Sequence, residues 1–178
     1  MIALYALFLF VTTCVLLGQQ TADAHAQPGM VALPSAECDG DNIDFQSYHI
    51  HVLYWQNNQN STDLALKLRK DFISKFELDE TADACTFSLG EPMPEQKKIC
   101  IFDVDTEPAG PFVTAQYSFF IPTDFFQVTT AWSVAHRTVL DIFIHPNSGC
   151  SLQDHLHFGM WSGTKWELDP SCLPWLID

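Results

Sequence analysis

The chain has 178 residues, a length that suits one domain with its own hydrophobic core. Charged residues are sparse and one-sided: 8 Lys+Arg face 22 Asp+Glu, for a formal net charge of −14. Such a surface repels nucleic acid and anionic membranes, and leaves cationic partners, metal ions and neutral small molecules.

The N-terminus reads as a targeting segment. Ile2 to Leu17 is an apolar run too short for a membrane span, and Ala24-His25-Ala26 follows as a small-x-small cleavage signature, although no Lys or Arg precedes the run. Residues 1–26 are therefore expected to be a signal peptide, residues 27–44 an extended arm, and residues 45–178 the folded domain of a secreted or secretory-pathway protein with no membrane contact after cleavage. The Asn60-Ser61-Thr62 sequon suits that route as a glycosylation acceptor. Cys14 falls in the signal, leaving Cys38, Cys85, Cys100, Cys150 and Cys172. With no CxxC spacing these read as disulfide staples: Cys85–Cys100, and either Cys150–Cys172 or a bridge using Cys38.

Phe45 to Trp55 alternates as a strand, with Tyr48, Ile50, Val52 and Tyr54 on one face and Ser47, His49, His51 and Leu53 on the other. After a turn at residues 57–60, Ala65, Leu68, Phe72 and Phe76 mark an amphipathic helix starting near Ser61 or Thr62. Residues 77–96 read as loop, and Lys98 to Val104 as a second strand. A Pro- and Gly-containing turn from Asp105 to Pro111 follows, then a third strand from Phe112 to Ile121, which Pro122 ends. Phe125, Val128, Trp132 and Ala135 mark a second helix. Val139 to His145 is a fourth strand, stopped by Pro146-Asn147-Ser148-Gly149, and the last thirty residues read as an irregular tail. The order strand, helix, strand, strand, helix, strand predicts an α+β, ferredoxin-like fold: a four-stranded antiparallel sheet with both helices on one face.

That topology makes the first and fourth strands antiparallel neighbours. Alternation then places His49, His51 and His145 together on the helix-free face, with Asp141 on the same side of the fourth strand and Thr114, Gln116 and Ser118 on that of the third. A tail folding over this face could add Asp154, His155 and His157. Clustered imidazoles bind Zn, Fe, Cu or Ni, and two histidines with a carboxylate leave open positions on Fe(II). The candidate carboxylates are Asp141, Asp154 and Glu107, with Asp154 also suited to fixing a ligand's tautomer from behind. A histidine outside the ligand set could serve as acid or base. The cupin pattern is absent, since Trp55 and Gln56 stand where its glutamate would follow His51. No Gly-rich phosphate loop, HExxH or Ser/His/Asp nucleophile motif is present.

Tyr48-His49-Ile50-His51-Val52, Gly110-Pro111, His145-Pro146-Asn147-Ser148-Gly149, Asp154-His155 and Trp161-Ser162-Gly163 together resemble the DOPA 4,5-dioxygenase family of fungal and bacterial type, over residues 45–173. The resemblance implies extradiol cleavage of a catechol-like substrate with O2 at a non-haem Fe(II), another divalent metal being the alternative. It implies His49, His51 and His145 as metal ligands and His155 or His157 as proton carriers. A homodimer is compatible with an exposed sheet face. The chain departs from the family pattern at three points: Phe112 stands where a histidine usually follows Gly-Pro, His136-Arg137-Thr138 replaces Asn-Arg-Gly, and Phe158 takes a further histidine's place. The alternative expectation is a secreted, non-catalytic metal- or small-molecule-binding protein on the same scaffold.

Overall fold

A computed structural model describes residue 43, residues 45–86 and residues 98–173. The expected signal peptide and most of the expected arm lie outside the described residues. Among the described residues, no helix is long and apolar enough to cross a membrane.

The strands are β1 (Ser47–Tyr54), β2 (Cys100–Asp105), β3 (Ala115–Pro122), β4 (Asp141–Asn147) and β5 (Met160–Ser162). The helices are α1 (Gln59–Lys75), α2 (Phe126–His136) and α3 (Ser151–Leu156). The strands form one antiparallel sheet in the order β2-β3-β1-β4-β5. The first four strands and helices α1 and α2 reproduce the ferredoxin-like arrangement, with β1 and β4 adjacent as that topology requires.

Period-2 alternation builds two unlike faces. Ile50, Val52, Tyr117, Phe119, Ile142 and Ile144 point toward α1 and α2 and form the main core. Phe72 of α1 stacks on Phe119 with ring centroids 3.9 Å apart. The buried Tyr117 hydroxyl donates to the Ala65 carbonyl at 2.9 Å, fixing α1 against the sheet. On the other face Leu53, Phe112 and Phe143 form a second, smaller core with Trp161, Trp166 and Leu168.

Several boundaries differ from those read in the sequence. Helix α1 starts at Gln59, because the Asn58 side chain caps it by accepting from the Ser61 N–H, so Asn60 of the sequon is exposed in the first helical turn. β4 runs through Pro146 to Asn147. The Asn147 carbonyl accepts from Gln46 N–H, so Asn147 faces β1 and the Pro146 nitrogen faces the opposite side. There β5 pairs only with Ile142, Phe143 and Ile144, so no ladder bond is lost at the proline. The expected third strand begins three residues late, at Ala115, because Phe112 N–H closes a turn on the Ala109 carbonyl and Phe112 bridges Leu168 instead.

Through Leu173 the tail carries regular elements where the sequence reads as irregular. Helix α3 and strand β5 lay it along β4, and Trp161 packs on Phe143 with centroids 4.6 Å apart. The Cys85–Cys100 disulfide is present and ties residues 84–85 to edge strand β2, which also bridges Ala84. Cys150 is disulfide-bonded as well, but Cys172 does not supply its partner.

Candidate metal centre

The histidine cluster follows from strand register. In the β1–β4 ladder His49 lies directly opposite His145, and His51 opposite Phe143. Because i and i+2 share a face, all three histidines project from the side of the sheet opposite α1 and α2. One ligand atom from each lies within 4.8 Å of the others, and all three side chains are buried. Aromatic rings frame them: Phe102 and Phe120 stand edge-on to His49, and Phe112 lies over His51 with centroids 4.5 Å apart.

The hydrogen bonds around the rings select their tautomers. His145 Nδ1–H donates to the Pro146 carbonyl at 2.8 Å. His51 Nδ1–H donates to Gln116 Oε1 at 2.9 Å. Gln116 can only accept there, because its amide NH2 donates to the Asp105 carboxylate. A neutral imidazole protonated at Nδ1 carries its lone pair on Nε2. Both lone pairs therefore meet where His51 Nε2 and His145 Nε2 stand 3.1 Å apart. Two acceptors at that distance repel unless a proton or a metal ion lies between them. Two imidazole nitrogens bound at right angles on one metal at about 2.1 Å would stand about 3 Å apart. The donor set, its spacing and its tautomers thus fit a divalent transition metal.

His155 joins the cluster from α3. It is 4 % exposed, and its ring lies against His145 with centroids 3.9 Å apart. Its Nδ1–H donates to the Ser151 carbonyl at 2.8 Å, and its buried Nε2 has no hydrogen-bond partner. Burial pushes its pKa down to about 4, against the opposing pull of the Ser151 carbonyl. The ring is therefore neutral at pH 7, with a bare lone pair on Nε2.

Asp154 does not point at the cluster. It clasps the loop after β4, accepting from Ser148 N–H at 3.0 Å and from the Ser148 hydroxyl at 2.6 Å. Burial pushes its pKa up to about 6, with the two Ser148 bonds pulling the other way. Its place in the site is to hold α3, and with it His155, at the end of β4.

The remaining candidates stand apart. His157 is exposed at the C-cap of α3, so the structure separates it from His155, which is buried against the cluster. Glu107 is exposed in the loop before β3. Asp141 accepts from Thr164 N–H and Trp166 Nε1–H, both at 2.7 Å, and so anchors the tail. None of the three candidate carboxylates belongs to the group of potential ligands, which among the described residues is histidine only. The residue the alternation pattern does not reveal is Asp105. It reads as the first residue of a turn, but it ends β2 and faces Gln116.

Comparison with known proteins agrees with this geometry. The Dopa 4,5-dioxygenase family model matches residues 48–172. A DOPA 4,5-dioxygenase from Amanita muscaria is 25% identical over 131 residues, which is 74% of this chain and 51% of that protein, so the chain spans about half the length of this curated relative. The crystal structure of a candidate dioxygenase from Nostoc punctiforme superposes with a TM-score of 0.56 at 20% identity, covering 75% of this chain and 96% of that one, a likeness of fold. The matched segment runs from the first strand to the last turn and takes in the four histidines buried among the described residues; the chain belongs to the Dopa 4,5-dioxygenase family.

Proposed function

We propose that the protein is a ring-cleaving dioxygenase that opens a catechol-like substrate next to its diol, with Fe(II) held by His49, His51 and His145. The observation that carries the reading is the 3.1 Å approach of His51 Nε2 and His145 Nε2, with both rings bonded outward through Nδ1, an arrangement suited to a shared metal ion. When bound, the metal would supply Lewis-acid chemistry to the catechol-like substrate and O2. The chain's own groups do the rest. His155 Nε2 holds a lone pair at the edge of the cluster and can take a proton from a substrate hydroxyl and return it. Phe112, Phe102 and Phe143 present ring faces and edges to an aromatic substrate and keep water out.

The product expected is a semialdehyde carrying both atoms of O2. After anaerobic loading with Fe(II), the chain should consume O2 with catechol or DOPA and give that product, and His49→Ala should do neither. Turnover by His49→Ala equal to wild type would sink the assignment.

A second reading rests on Phe112, whose ring covers His51 where the family pattern carries a histidine. On that reading the protein binds metal or catechol without turnover. Metal and catechol binding with no O2 uptake would favour it.

A further inference from the structure

β2 carries a bulge. Ile101 pairs with Phe119, and Val104 pairs with Tyr117, so Phe102 and Asp103 together oppose the single residue Ser118. Without the extra residue, Asp105 would fall opposite Ala115, whose side chain belongs to the core beneath the helices. With it, Asp105 falls opposite Gln116, on the face that carries the histidines. Bulges re-aim side chains in this way beside active sites.

The consequence is a chain of three polar groups crossing three strands. The Asp105 carboxylate accepts from the Gln116 amide, and Gln116 Oε1 accepts from His51 Nδ1–H. Gln116 is 1 % exposed and His51 0 %, so the bond between them is shielded from water, while Asp105 at the end of β2 is only half-buried. A buried amide can be read in either orientation. Here the carboxylate decides it, because a carboxylate accepts and never donates, so the NH2 must face Asp105 and the oxygen must face His51.

We propose that Asp105 and Gln116 are positioning residues that fix His51 as the Nδ1–H tautomer and so aim its Nε2 lone pair at the metal position. The proposal rests on the metal reading above for its purpose, but not for its geometry. Such outer groups hold ring orientation and raise ligand basicity, and their loss typically lowers metal affinity about 10–100-fold.

The test uses the full chain and Co(II) as the probe. Gln116→Met keeps the length of the side chain and removes its acceptor; Co(II) affinity should fall about 10–100-fold. Asp105→Ala should lower it too, by freeing the amide to turn. Asp105→Asn retains an acceptor oxygen for the Gln116 NH2, so it should restore affinity close to wild type. Nitrogen-15 NMR of the metal-free protein gives a second readout. His51 should be the Nδ1–H tautomer in wild type and Asp105→Asn, and a mixture in Gln116→Met and Asp105→Ala. If Gln116→Met does not fold, the two Asp105 variants carry the test. Wild-type Co(II) affinity and an unchanged His51 tautomer in Gln116→Met or Asp105→Ala would overturn the positioning pair. A tautomer that shifts while His49→Ala still binds Co(II) like wild type would support the pair and refute the metal reading instead.

Discussion

Gly159 is where the tail meets the site, and the structure says what a single methyl group would do there. A Cβ built on Gly159 would lie 2.6 Å from Phe143 Cζ and 2.8 Å from the His155 carbonyl oxygen. Ordinary carbon contacts are about 3.5–4.0 Å, so roughly 1 Å must be found. Neither neighbour can give it cheaply. The oxygen is backbone of α3, and Phe143 is fully buried with Trp161 on one side and the rings of His51 and His155 about it. Overpacking of this kind costs about 1–3 kcal/mol. Taking about 2 kcal/mol as the centre, Gly159→Ala should lower Tm by about 4–8 °C for a chain of this size. Because the displaced groups flank the histidines, metal affinity should fall with it. Differential scanning calorimetry and Co(II) titration measure both. A Tm within a degree of wild type would refute the packing described for the tail.

Asp154 gives a pH signature. Its folded pKa of about 6 lies above the ordinary carboxylate value, so its contribution is fully present below about pH 4 and is lost as pH rises through 6. Raising this carboxyl from its ordinary value to about 6 is worth about 3 kcal/mol. Stability of wild type relative to Asp154→Asn should therefore fall by about that amount between pH 4 and pH 7 in urea unfolding; a difference that does not change with pH contradicts the burial assigned to this carboxylate. The Cys85–Cys100 bridge closes a loop with a sequence separation of 15, and its replacement by two alanines should cost about 3 kcal/mol by the same unfolding measurement. His157 is exposed, so His157→Ala should leave ring cleavage close to wild type, while His155→Ala should lower kcat by about 100-fold or more at unchanged metal content. Equal losses in the two variants would reject the separation of their roles.

The sequence shows the site best where one rule acts alone. Strict alternation in β1 and β4, with the antiparallel pairing of first and last strands, is enough to bring His49 opposite His145. It also sorts Ile50 and Val52 from the histidines beside them. The rule stops at the β2 bulge. There one added residue reverses the phase, and Asp105 changes from a turn residue into a partner of Gln116. Nor does a strand as short as β5 carry a period of its own: Met160 to Ser162 pairs because the clasp of Asp154 on Ser148 and the close approach at Gly159 bring it to β4. His155 and His157 differ by only two positions, yet helix geometry turns one inward and leaves the other at the cap. That difference follows from α3, a six-residue helix too short to read from periodicity.

On the proposed function, three histidines from two paired strands hold one metal ion. Anaerobic Fe(II) binding to the purified chain, read by stoichiometry and by X-ray absorption, tests it directly. The expected result is one Fe(II) per chain with imidazole nitrogens at about 2.1 Å, lost in His49→Ala, His51→Ala and His145→Ala alike. A full equivalent of Fe(II) retained in any of the three alanine variants, with the same nitrogen coordination as wild type, would contradict it.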